Sequence, residues 1–212
     1  GDRIRAILPA LGTHRPMTDL ELERMYGSVP RHLFRNHDWR NDVTTLGTVP
    51  REFVREVSEG FVDYEWPAQV NRLLISPGEK FDAIISVGQV VPHEVIGLAN
   101  HAKNIFVGTG GSIGINRSHY LGAVYGMERI MGRADNPVRA VINYAAEHFL
   151  ADLPVSYLLT VMEPIPGHDK PVMRGIFAGV GQECFYRAAE LTIATNLTFL
   201  DEAPAHVVAY LD

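Results

Sequence analysis

Apolar residues in this chain come in short runs separated by Gly, Pro and polar clusters, and their spacing switches between strand-like and helix-like periods. Arg5 to Leu11 reads as a short buried strand closed by Gly12. Thr18 followed by Glu21 has the form of a capping box, and Leu20, Leu22, Met25 and Tyr26 give the helix after it a partly apolar face that Gly27 ends. Residues 28–50 are polar and predict a loop with a short strand. Glu52 to Phe61 fits irregular structure or a strand pair equally well. Val70 to Ile75 is β-prone and is punctuated by Pro77-Gly78. The apolar run from Asp82 to Gly88, with its small-residue exit, predicts a fully buried strand of the kind found in parallel sheets.

The second half continues the alternation. A short helix through Ala99 and Lys103, a strand at Ile105–Val107 and a turn at Gly108–Gly111 are expected. Residues 118–131 read as a helix with Leu121, Val124, Tyr125, Ile130 and Met131 facing a core. Asn136-Pro137 opens another, with Pro137 in its first position and Val138, Val141, Ile142, Ala145 and Phe149 buried. Val155–Val161 and Val172–Val180 are strands around a turn at Pro164–Pro171, and Gln182–Leu191 is a helix. Strands alternating with helices predict an α/β fold, a mainly parallel Rossmann-like sheet flanked by helices, in a single domain over residues 1–212.

Composition narrows the partners. At 212 residues, 46% apolar and 21% charged, the chain can bury a substantial core. A net charge of -6 without any basic stripe argues against nucleic acid. No run approaches the roughly 20 apolar residues of a membrane span. The single cysteine, Cys184, excludes an internal disulfide and favours a reducing, cytoplasmic setting. A chain that opens on a predicted strand and closes on HVVAYLD is expected to be a catalytic-domain fragment of a longer parent.

Candidate chemistry concentrates in residues 91–122. His93 precedes Lys103 by ten positions, and Lys103 precedes His119 by sixteen. Imidazoles move protons or bind metal near neutral pH, and a desolvated lysine is a covalent anchor. His14 follows the first predicted strand as His93 follows the strand ending near Val87, so both are expected at one sheet edge. Lys103 is either a snorkelling lysine or a cofactor anchor, and His101 either its partner or an exposed helix residue. Gly108-Thr-Gly-Gly-Ser-Ile-Gly114 departs from a dinucleotide fingerprint, because Ile113 stands where the third glycine belongs. It is either a turn that approaches a phosphate or metal, or simply a tight turn. Asn36-His37-Asp38 is either a polar ligand contact or a solvated loop.

Gly12-Thr-His14-Arg15-Pro16-Met-Thr18, Asn36-His37-Asp38 and the His93, Lys103, His119 series together resemble the nickel-dependent lactate racemase family of 2-hydroxy-acid racemases and epimerases. The resemblance spans roughly residues 7–125 and implies distinct roles. Lys103 would tether a nicotinic-acid-derived nickel-pincer nucleotide, and His119 would bind its nickel. His14 and His93 would be the acid/base pair, with Arg15 and His37 near the hydroxy-acid substrate. Hydride would leave C2 for the cofactor and return to either face of a planar keto acid. Where the family has a Gly-Phe-Ser-Gly-Gly run before the lysine, this chain has Gly97-Leu98-Ala99-Asn100-His101, so the hydroxy acid is expected to be one other than lactate, such as a sugar acid. The family's upstream Asp-x-Thr-Arg-Pro segment and cleft-closing C-terminal domain have no match here, so the fragment is expected to be inactive alone. Two alternatives are a non-catalytic domain of the same fold that holds a sugar acid or phosphate in its glycine turns, and a pyridoxal-type Schiff base at Lys103.

Overall fold

A computed structural model describes residues 3–76, 81–168 and 170–198, together with 200, 202, 205, 206 and 208. The predicted Pro77-Gly78 punctuation and the last four residues, 209–212, lie outside the described residues.

The first helix, α1 (Asp19–Tyr26), starts as its sequence requires. Thr18 Oγ1 accepts the Glu21 backbone N–H at 3.3 Å, and Glu21 Oε2 accepts that of Thr18 at 2.7 Å. Gly27 ends it at φ 59°, in the half of backbone space open to glycine. Among the described residues no strand precedes it. Ile7 makes one isolated parallel bridge to Phe34, and Ile4 is exposed. The expected strand fails because the polar stretch around Phe34 supplies only a single pairing position.

The chain then builds an antiparallel hairpin from β1 (Val43–Val49) and β2 (Trp66–Asn71), with α2 (Arg51–Val57) between its strands. The ambiguous Glu52–Phe61 segment is thus mostly helical, and Val54 is its buried anchor. Trp66 and Val70 of β2 pack with Phe106, Leu121 and Ile142 in the larger of two cores.

The smaller core lies under a three-stranded sheet ordered β3 (Ile84–Gln89), β6 (Val155–Glu163), β7 (Val172–Gly179). β3 runs parallel to β6, and β7 antiparallel to it. A mixed α/β fold is therefore present, but the sheet is not mainly parallel and no Rossmann-like sheet is seen among the described residues. α6 (Glu183–Asn196) packs Phe185, Ala188 and Ala189 against one face. The other face is bare: Ile85 and Val87 are 64% and 59% exposed, so β3 is not the fully buried strand its apolar run predicts.

A two-residue hairpin, β4 (Pro92–His93) and β5 (Gly97–Leu98), links the cores and contributes Ile96 to one and Leu98 to the other. Beyond it the backbone is helical. Asn104–Gly108 forms a π-turn rather than the strand expected at Ile105–Val107, with Ile105, Phe106 and Val107 all buried. An apolar triplet has no periodicity to separate these outcomes. α3 (Ser112–Tyr125) starts six residues before the predicted helix, and Gly126, at φ 106°, separates it from α4 (Met127–Ile130), leaving Met131 exposed. α5 (Pro137–Phe149) is capped by Asn136, whose side chain accepts the Arg139 N–H, and Pro137 stands at its start as read. Among the described residues no helix is long and apolar enough to cross a membrane.

Candidate functional site

His93, Lys103 and His119, which arrive on three different elements, line one small cavity of about 10 Å³. Val95, Ile96, Val107, Val138 and Ile142 wall it, so its floor is apolar. A space of this size admits a water or an ion and no more.

His93 sits on β4, paired with Gly97 across the hairpin. Its Nδ1 accepts the Val95 N–H at 3.1 Å, which leaves the proton of the neutral ring on Nε2. Burial, then the Lys103 ammonium, push its pKa down to about 4, while Glu94 pulls the other way. The Glu94 carboxylate lies 3.5 Å from Nδ1. With the ring neutral and Nδ1 accepting, that contact is not an ion pair at neutral pH.

Lys103 precedes the π-turn. Burial depresses its pKa first and the Arg139 guanidinium second, so more of the amine is neutral and nucleophilic than in an ordinary lysine. His119, on α3, is exposed at the rim. Its Nδ1 lies 2.7 Å from the Ile115 carbonyl, which can only accept. Nδ1 therefore carries the proton and Nε2 keeps a free lone pair, the form in which imidazole binds metal.

His14 is not in this cavity. Together with Arg15 it lines an open cleft of about 720 Å³ bounded by Leu11, Met17, Glu21 and Tyr26. The shared sheet edge expected for His14 and His93 does not exist, since no strand leads to His14. A different connection joins the two places. The Gly12 N–H donates to the Gly108 carbonyl at 2.7 Å, so the turn that bears His14 docks on the end of the π-turn after Lys103. Arg15 pairs with both carboxylate oxygens of Glu21, at 2.9 and 2.7 Å.

His37 is buried with both ring nitrogens engaged, one with the Gly110 carbonyl at 2.9 Å and the other with Asn71 Nδ2 at 3.0 Å. It anchors the glycine turn to the end of β2. The glycine turn itself is closely packed. A Cβ on Gly110 would lie 1.8 Å from the Phe106 carbonyl oxygen. Gln69 Oε1 accepts the N–H groups of Ile113 and Gly114, both at 3.1 Å, and so occupies donors that a phosphate would use.

Sequence reasoning missed two participants. Arg139 is 1% exposed, and its charge lowers the pKa of both His93 and Lys103. The available signal was a guanidinium set among the buried Val138, Val141 and Ile142 of α5. Gln69 was missed because its role depends on a contact across forty-four positions. His101 is buried, not exposed, with its ring 3.8 Å from that of Tyr157.

Among the described residues no group of three or more His, Cys, Asp or Glu side chains is placed to hold a metal ion. A metal bound here would take most of its ligands from outside these side chains.

Two solved structures share this fold. A crystal structure of a Thermotoga maritima protein, determined as a structural-genomics target, is 31% identical with a TM-score of 0.75, covering 88% of this chain and 45% of its own. The lactate racemase apoprotein from Thermoanaerobacterium thermosaccharolyticum is 22% identical with a TM-score of 0.63, covering 88% of this chain and 40% of its own. The chain thus spans less than half the length of either neighbour. A comparison with curated proteins finds no match. The sequence model of the lactate racemase N-terminal domain matches residues 2–130, more than half of the chain, so this chain belongs to the lactate racemase N-terminal domain family.

Proposed function

We propose that this chain is the cofactor-tethering part of a racemase or epimerase that inverts C2 of a 2-hydroxy acid, in which Lys103 holds a nickel-pincer nucleotide and His119 its nickel. The observation that carries this reading is the single cavity joining a desolvated lysine amine to two imidazoles. The donor chemistry fits such a group. The Lys103 amine is suited to a covalent link, and the free Nε2 of His119 to one metal position. At about 10 Å³ the cavity has room for no more than an ion, so the organic part of such a group would lie outside it. When bound, the group supplies reversible hydride acceptance from C2.

The chain's own residues would do the rest. His93, neutral at pH 7, offers its Nε2–H as a hydrogen-bond donor to a substrate oxygen. Taking a proton at Nε2 requires the other tautomer, whose Nδ1–H would face Glu94. His14 would exchange the proton on the opposite side from its open cleft. Arg15 would receive the substrate carboxylate, which competes with Glu21 for the same guanidinium. That ion pair is exposed and therefore exchangeable. His37, with both nitrogens engaged, would act on the substrate only through the glycine turn it anchors. Residues of the parent outside this chain would cover the cleft, and the buried free thiol of Cys184 suits a cytoplasmic, reducing setting. Phosphate binding in the glycine turn is disfavoured by Gln69, which already holds those donors.

Intact mass of the parent protein, produced with nickel and the cofactor-synthesis enzymes, tests the tether. An adduct is expected on the wild type and none on Lys103→Ala; an adduct that survives the substitution rejects the assignment. His119→Ala is expected to lower nickel content, and unchanged nickel removes its role as ligand.

A further inference from the structure

The first turn of α5 reaches across to the segment that leads into Lys103. Asn136 Nδ2 donates to the Ile96 carbonyl at 2.9 Å. Arg139 donates to the Leu98 carbonyl through one guanidinium nitrogen and to the Asn100 carbonyl, at 3.2 Å, through another. Three alternate carbonyls therefore end on one helical turn. The chain then passes through Asn100 at φ 78° and His101 at φ 62°, both left-handed. Asparagine tolerates that region and histidine enters it less readily, at a cost of about 1 kcal/mol or more per residue. Lys103 follows two residues later.

Direct ion pairing does not account for the place of the guanidinium. Among the described residues no carboxylate lies within 4.0 Å of it. Its Cζ sits 4.1 Å over the Phe185 ring, and its Nε has no partner. Burying a charge without a counter-ion is unfavourable unless its hydrogen bonds are needed, and here they go to the backbone of the left-handed turn.

We propose that Arg139 is a positioning residue for Lys103: its fork of two hydrogen bonds locks the Asn100-His101 turn, and the lock keeps the lysine amine inside the cavity. The inference rests on the reading of Lys103 as the functional amine. The charged and titratable groups around that amine are His93 and Glu94 on the β4 hairpin, His119 on α3 and Arg139 on α5. Release of the lock lets the amine reach solvent and behave as an ordinary lysine.

The test is acetylation of the cofactor-free, full-length protein with acetic anhydride across pH, read by peptide mass spectrometry. The chain has three lysines, Lys80, Lys103 and Lys170, and exposed Lys170 serves as the reagent control. Arg139→Met is expected to raise the labelling midpoint of Lys103 by about one pH unit, or roughly tenfold in neutral amine at a fixed pH. Arg139→Lys retains a cation but not the two-pronged fork, and an intermediate midpoint is expected. A wild-type Lys103 profile in folded Arg139→Met overturns the proposal. So does a wild-type profile in Arg139→Lys, because it leaves only a charge effect; that variant also decides the matter where Arg139→Met fails to fold. Because the assay needs no cofactor, absence of an adduct on Lys103 would reject the tether while leaving these profiles intact, and unchanged profiles would reject the lock while leaving an adduct intact.

Discussion

Acid is predicted to destabilise this protein through His101. The ring is 2% exposed, stacked 3.8 Å from Tyr157 and 5.6 Å from Phe185. Its Nε2–H donates to the Gly181 carbonyl at 3.2 Å, so the neutral ring keeps its lone pair on Nδ1. That atom is buried without a partner among the described residues. Protonation would place a new N–H where nothing accepts it, on the same side of the core as Arg139. Burial first, then Arg139, push the pKa from its ordinary 6.5 down to about 4, with the Gly181 bond opposing them. The unfolded chain binds a proton near pH 6.5 and the folded chain only near 4. The stabilisation is therefore complete above pH 6.5, falls as the pH drops, and is gone by about pH 4. A gap of roughly 2.5 pH units corresponds to about 3 kcal/mol. That is a large fraction of the roughly 5–15 kcal/mol typical of a domain. His93, also held down to about 4, adds a loss of the same sign.

Urea unfolding followed by far-ultraviolet circular dichroism between pH 7.5 and 4.5 measures this. His101→Phe keeps an aromatic ring against Tyr157 and removes the titration. The variant is expected to be less stable at pH 7.5, because the Gly181 carbonyl loses its donor, yet to lose stability more slowly as the pH falls. Wild type and variant that decline in parallel would refute the assignment of acid sensitivity to this ring.

Three further predictions follow from single contacts. Gly110→Ala drives a Cβ into the Phe106 carbonyl oxygen, a backbone atom 1.8 Å away, and is expected to cost about 3 kcal/mol or more in urea unfolding; a loss below about 1 kcal/mol would mean that the turn has room. Thr18→Ala breaks the capping box of α1 and should lower stability by about 1 kcal/mol, with an unchanged urea midpoint counting against the cap. Glu94→Gln removes the charge that raises the His93 pKa, so an NMR titration of that ring should move to lower pH; an upward move would contradict the geometry.

The parts of this fold written in local chemistry could be read from the sequence, and the parts written in long-range contact could not. The capping box at Thr18 and the Asn136-Pro137 start of α5 are each set by a few consecutive residues, and both stand where expected. The fate of Ile105–Val107 depends on the helical turn before it, and the exposure of Ile85 and Val87 on α6 covering only one face of the sheet. The site divides in the same way. His93, Lys103 and His119 converge because a two-residue hairpin, a left-handed turn and α3 follow one another with little chain between them. His14 was expected just after a strand that did not form, and its cleft is separate. The segment before Lys103 carries the strongest lesson. Asn100 and His101 stand where the family's run has glycines, a difference that on sequence alone points to a changed substrate. Both residues adopt positive φ, so glycine's usual service at these positions is conformational. Here the same path is supported from outside: Asn100 Nδ2 donates to Gln89, His101 rests on Tyr157 and Gly181, and Arg139 takes the carbonyls. The departure therefore bears on how the lysine is held.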